Sequence, residues 1–325
     1  MNKLKKIGLS ALAGSLVATS AFAGEMAVGG SAKATWTDNG SDTSTGSGIG
    51  MNKLLTFTGS GEMDNGHNIK VYFGNNGTSQ SSASMTYDMG DMGSLTLDNG
   101  VGGHGIGSID DKTPTANEEI WDNISHGTGH DGYRVGVGNA GALAYTTTLG
   151  GLTVSADYVK QAGGSLEDGA TAGSAAGTGS SKSVALTFAP ADGVAAGVGM
   201  GESGNALVAN ESNQLTGFVT YAAGPVSLGY QMSEEETQGA ANWNTQQWGV
   251  TFNVSDNISI GYGERTVDFK IGGNNAIQDQ ADSGISASYT MGSMSIAGNM
   301  NKSDDTHGVL NSDNETTEIA LSFAF

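Results

Sequence analysis

From Glu25 onward the chain alternates between apolar and small polar side chains in short segments. A period of two is the spacing of a β-strand whose two faces meet different surroundings. The last segment shows it best. Thr317, Ile319, Leu321, Phe323 and Phe325 share one face, and Glu318, Ala320, Ser322 and Ala324 share the other. The same alternation runs through Val28/Ala32/Ala34/Trp36, Ile69/Val71/Phe73, Leu152/Val154/Ala156/Tyr158, Val226/Leu228/Tyr230/Met232 and Trp248/Val250/Phe252/Val254. Sixteen such strands can be counted, the weakest of them at 94–99.

The connections alternate as well. Leu149-Gly150-Gly151, Pro190-Ala191-Asp192-Gly193, Ala223-Gly224-Pro225, Ser255-Asp256-Asn257 and Gly292-Ser293 are tight-turn sequences, because Gly and Asn accept positive φ and Pro fixes it. Between them lie mostly longer polar stretches, such as 38–50, 160–182, 202–213, 233–244, 268–282 and 302–315. Tyr145, Phe188, Tyr221, Phe252, Tyr289 and Phe323 fall on the apolar parity beside the tight turns or the terminus. Trp36, Tyr158, Tyr230, Trp248 and Tyr262 fall toward the long-loop ends. Aromatic residues at both edges of an apolar band match two membrane–water interfaces, whereas a soluble sandwich packs most thickly at its centre. The pattern predicts an antiparallel transmembrane β-barrel with short periplasmic turns and long extracellular loops.

Composition narrows this further. The chain has 325 residues with 53 Gly, 3 Pro and no Cys, and charged residues make up only 14%. The abundant Gly, Ser, Thr and Asn are poor helix formers. Without cysteine there is no disulfide framework and no thiol chemistry. A formal net charge of −20 argues against nucleic acid, which needs a basic patch. Lys3, Lys5 and Lys6 precede an uncharged stretch ending in Ala21-Phe22-Ala23, the pattern of a secretory signal peptide cleaved after residue 23. Residues 24–325 are then expected to form one barrel domain. No later apolar run is long enough for a membrane helix.

The signal-like start, the hairpin series, the segment Leu149-Gly150-Gly151-Leu152-Thr153-Val154-Ser155-Ala156 and the C-terminal strand ending in Phe325 together resemble the general porin family of Gram-negative outer membranes, alphaproteobacterial members above all. The resemblance covers essentially all of 24–325. It implies a sixteen-stranded, water-filled and usually trimeric barrel in the outer-membrane lipid, whose third long loop folds into the pore. It also implies that the barrel-assembly machinery reads the Phe325 strand. The inward loop of enteric relatives carries a Pro-Glu-Phe-Gly-Gly motif that this chain lacks.

The largest break in the strand pattern, 99–141, is the third long-side connection and the candidate constriction. Loops this long without structure of their own are usually either functional or disordered. Asp110, Asp111, Glu118, Glu119 and Asp122 cluster in it. A narrow ring of carboxylates favours cations. Lys33, Lys70 and Arg265 sit on the polar parity of their strands and would face the lumen, and Arg134 at the loop's return is a fourth basic candidate. The alternative reading is a solvated outer loop and basic residues at strand ends that meet lipid head groups.

Other chemistry is weak. His126 and His130 are spaced for a metal on a helix, but Gly127-Thr128-Gly129 between them argues against one. Gly199-Met200-Gly201-Glu202-Ser203-Gly204 matches a dinucleotide fingerprint by letter, without the strand–helix setting that gives it meaning. The expectation is a non-enzymatic, cofactor-free diffusion channel for small hydrophilic solutes and ions, weakly cation-selective. The rivals are a substrate-specific channel and a surface-display barrel or adhesin.

Overall fold

The computed structural model describes residues 24–40, 48–77, 80–124, 140–160, 180–204, 211–237, 242–270 and 278–325. Sixteen strands run in chain order. The first eight are β1 (Glu25–Asp38), β2 (Ile49–Glu62), β3 (Asn68–Asn75), β4 (Gln80–Asp88), β5 (Ser94–Asn99), β6 (Ala140–Leu149), β7 (Leu152–Val159) and β8 (Ser181–Ala191). The others are β9 (Val194–Ser203), β10 (Ser212–Ala223), β11 (Val226–Thr237), β12 (Asn242–Ser255), β13 (Ile258–Lys270), β14 (Gln280–Met291), β15 (Met294–Asp304) and β16 (Asn314–Ala324). Each pairs antiparallel with its chain neighbours, and β1 pairs with β16 to close the barrel. Closure leaves no free sheet edge, which hydrocarbon would not tolerate. The C-terminal residue seals the seam, the Phe325 amide donating to the Gly30 carbonyl (2.9 Å) and the Gly30 amide to the Phe325 carbonyl (2.8 Å).

The tight turns behave as their residues require. Gly150 and Gly151 both have positive φ, +58° and +87°, and join β6 to β7 in two residues.

Burial is inverted relative to a soluble protein. Phe188, Phe252, Ile285, Ile296 and Ile319 are exposed on the outside, with Trp36, Tyr145, Tyr158 and Tyr221 toward the strand ends. Many of the buried side chains are polar, among them Gln231, Gln247, Gln280, Asp282 and Arg265. An apolar outer belt suits lipid, and the polar groups turn inward where they find partners. The alternation is therefore the consequence of a bilayer outside and water or a packed loop within. Among the described residues no helix is long and apolar enough to cross a membrane, so crossing rests on the strands.

Several strands outrun the expected segments. β11 continues to Thr237 and β12 starts at Asn242, so the long-side stretch read as 233–244 is mostly strand. Beyond the Met232–Gln246 pair the outward side chains become Glu234, Glu236 and Asn244 while the ladder continues. The wall here stands past the apolar belt, so hydrophobic alternation ends before hydrogen bonding does.

Candidate pore constriction

The connection after β5 turns into the barrel. Asp98, fully buried on β5, starts the turn by accepting hydrogen bonds from the Val101 amide (2.9 Å) and the Gly102 amide (2.7 Å). Its carboxylate stands 3.3 Å from His104 Nε2. A 3-10 turn, Gly105–Ile109, follows and lies against the wall. Its Gly105 amide donates to Ser155 Oγ of β7 (2.9 Å) and its Ile106 amide to Ser183 Oγ of β8 (2.8 Å). Gly105 has φ +53°, and a Cβ there would collide with Ser183 and Asp157, so position 105 needs glycine twice over. Ile106 and Ile109 are fully buried, an apolar anchor inside a polar lumen.

From there the segment follows the inner wall strand by strand. Gln231 of β11 donates to the carbonyls of Ile109 (2.8 Å) and Asp110 (3.0 Å) and accepts from the Lys112 amide (2.8 Å). Gln247 of β12 donates to Asp111 Oδ1 and Thr113 Oγ1, both at 3.0 Å. The Ala116 amide donates to Ser286 Oγ of β14 (3.1 Å), and Asn117 Nδ2 to Asn299 Oδ1 of β15 (3.2 Å). Asn301 of β15 clamps the end of the run by donating to the carbonyls of Glu119 and Asp122, both at 3.1 Å. Asn123 Nδ2 donates to Glu318 Oε2 of β16 (2.9 Å). Each such bond contributes only about 1 kcal/mol net, but a buried amide left without one costs more. Wall and loop therefore satisfy each other.

The five acidic candidates are all on this segment. Asp110 is exposed, and the others are half-buried. Burial pushes the Asp111 carboxyl above its ordinary range against the hydrogen bonds from Thr113 and Gln247. Burial also raises Glu119, helped by Asp111, Glu118 and Asp110 nearby. Asp122 is pushed up to about 6 by burial and by the neighbouring Glu118 and Glu318 charges, with Lys33 opposing.

The basic candidates divide. Lys33 on β1 pairs with Glu118 of the loop and stands 3.2 Å from Glu318 Oε1 on β16. Lys70 on β3 is exposed, and among the described residues no carboxylate lies within ion-pair distance. Arg265 has the inward facing that parity requires, but it is no part of an open basic face. It is 1% exposed, its Nη2 stands 2.7 Å from Asp282 Oδ2, and the Trp121 ring covers its guanidinium at 4.3 Å. The loop itself seals it, which parity alone does not reveal. Arg134, His126 and His130 lie outside the described residues.

Side chains that the sequence did not single out hold the loop: Gln231, Gln247, Asn299 and Asn301, with Trp121 over Arg265. They read as ordinary lumen-lining polar residues. The nucleotide-like glycines also find their place here. Gly199 and Gly201 lie on β9, and their missing side chains leave room for Ile106 and Ile109. Among the described residues no group of three or more His, Cys, Asp or Glu side chains is arranged to hold a metal ion.

Comparison with known proteins places this architecture. The family model for Gram-negative porins matches residues 8–325. A porin refined at 1.8 Å resolution superposes with TM-score 0.68 at 17% identity, covering 93% of this chain and 100% of the other. An anion-selective porin from Comamonas acidovorans gives 0.64 at 14% identity, with 93% and 100% covered. A mutant of the Rh. blastica porin gives 0.59 at 11% identity, again with 93% and 100% covered. No curated protein matches the chain by sequence.

Proposed function

Because the chain belongs to the Gram-negative porin family, a family of outer-membrane diffusion channels rather than enzymes, we propose that it passes small hydrophilic solutes and ions down their gradients with a weak preference for cations. The observation that carries the sign is the loop inside the barrel bearing Asp110, Asp111, Glu118, Glu119 and Asp122, while Lys33 is already paired with two carboxylates and Arg265 is buried against a third. Lys70 and Lys112 leave the lumen acidic on balance, and so does the net charge of the chain. The Comamonas acidovorans porin is anion-selective. A shared barrel thus leaves the sign of selectivity to its side chains.

The remaining assignments belong to the same reading. Residues 1–23 act as a cleaved export signal, 24–325 form the mature domain, and the chain is of the alphaproteobacterial type. Its C-terminal strand, with Phe325 closing on Gly30, addresses the barrel-assembly machinery. Three copies of the chain associate as a homotrimer.

Reconstitution into a planar bilayer under a salt gradient tests the proposal. Stable conductance steps with a cation-selective reversal potential are expected. Replacing the five acidic residues with their amides should move that potential toward zero. A silent, folded barrel, or a potential indifferent to the five changes, overturns the reading.

A further inference from the structure

Four glycines on adjacent strands stand in one continuous row of the ladder. Gly229 of β11 pairs with Gly249 of β12, Gly249 with Gly263 of β13, and Gly263 with Gly284 of β14. All four lie on the inward parity, shared with Gln231, Gln247, Arg265 and Asp282. Glycine inside a strand weakens it and packs nothing, so it marks a place where another backbone comes close. Here the occupant is visible. A Cβ at Gly249 would lie 2.5 Å from the Pro114 carbonyl oxygen, and one at Gly229 would strike Pro114 Cδ. At Gly263 and Gly284 it would first meet the wall itself, the Trp248 carbonyl oxygen at 2.9 Å and, closer still, Asn301 Oδ1, with the Ile120 side chain of the loop next at 3.2 and 3.1 Å. The hydrogen bonds with Gln231 of β11, Gln247 of β12 and Ser286 of β14 hold the same stretch of loop down onto the same strands.

We propose that this glycine row is the seat that fixes how far the acidic loop projects into the lumen, making Gly229, Gly249, Gly263 and Gly284 positioning residues for permeation. The inference rests on the diffusion-channel reading. The polar wall residues supply attraction, and the missing side chains supply depth. An added methyl at position 249 meets loop backbone, which must retreat by about 1 Å to reach ordinary contact. The retreat has one direction, into the water path. At position 229 the severe clash is with a ring carbon of Pro114, which a smaller residue removes, leaving the Lys112 carbonyl oxygen and Thr113 Cα in tight but milder contact at 3.3 Å.

Gly249→Ala and Gly229→Ala, each refolded and scored by gel mobility before and after heating, are compared in planar bilayers with the unaltered protein. The control is Gly59→Ala on β2, where nothing lies within 4 Å of the added carbon. Both wall variants should give a smaller single-channel step, by roughly 1.5-fold, because conduction follows the open section of the constriction. The control should not change. Adding Pro114→Ala should restore the step of Gly229→Ala but not that of Gly249→Ala, whose obstacle is the carbonyl at 114. Unchanged or enlarged steps in folded wall variants, or equal rescue of both, overturn the seat. If the unaltered protein forms no channel, the functional reading itself fails instead.

Discussion

The inner wall has two unlike regions. On β11 to β15 the inward side chains are sealed: Gln231, Gln247, Arg265, Asp282, Asn299 and Asn301 are at most 3% exposed. On β2 to β4 the inward positions Asn52, Lys70, Tyr72 and Ser84 remain exposed or half-exposed. The alternation that builds both regions is the same, and so is their outward apolar face. What differs is the loop, which covers one region and leaves the other to water. A polar inward face is therefore a necessary feature of the pore but does not say where the pore is. On the proposed reading, the path runs between the loop's carboxylates and the wall of β2 to β4.

The largest way to break this contrast is to remove the cover. Replacing 106–122 by a short Gly/Ser linker should raise single-channel conductance at least about twofold, since the narrowest section then becomes the bare wall. It should also weaken cation preference. A folded barrel with the original step would place the loop outside the path.

The two regions should next differ in what a basic residue does. Arg265→Met leaves Asp282 buried without its cation, and breaking such a pair costs about 3–5 kcal/mol. Denaturant unfolding of the refolded barrel should show that loss. Reversal potential should shift more through the unsettled Trp121 than through the missing charge. A variant as stable as the parent, with selectivity shifted by a full charge, would mean that Arg265 faces open water.

These differences mark how far the sequence could be read. The outward face was legible because lipid demands an apolar residue at each outward position along a spanning strand. Strand ends were not, because Glu234, Glu236 and Asn244 lie above that demand while the ladder continues. The facing of Lys33 and of Arg265 follows from parity. Their fates do not, because Glu118 and Trp121 reach them from a loop 85 residues from Lys33 in the chain and more than a hundred from Arg265. The cover did leave one sign: inward glycines on four consecutive strands, where an ordinary lumen wall would carry Ser, Thr or Asn.

A smaller effect separates the loop's acids from ordinary surface carboxylates. Asp122 is ionised above about pH 6 and takes up a proton as the pH falls through that value, because burial and its acidic neighbours raise it. Exposed carboxylates hold their charge down to about pH 4. Acidification from pH 7 to 5 should therefore remove negative charge from the constriction first, and cation preference should fall. Asp122→Asn should lower the preference at pH 7 and flatten its change over that interval. An identical pH profile in the variant would assign the titration elsewhere.

The finest distinction concerns Lys70. It lies on the open wall, exposed and without a carboxylate partner among the described residues, so its field reaches the water path rather than a buried counter-ion. Lys70→Met removes one positive charge from that wall and should raise cation preference slightly, with stability unchanged because no buried group loses a partner. Screening limits the effect: in 0.1 M salt the charge is felt over about 10 Å, and in 1 M salt over about 3 Å. The shift in reversal potential should accordingly be measurable at low ionic strength and vanish at high. A shift that persists in 1 M salt would mean that permeating ions touch position 70 directly. No shift at any salt concentration would mean that β3 stands outside the path and that the open region is narrower than β2 to β4.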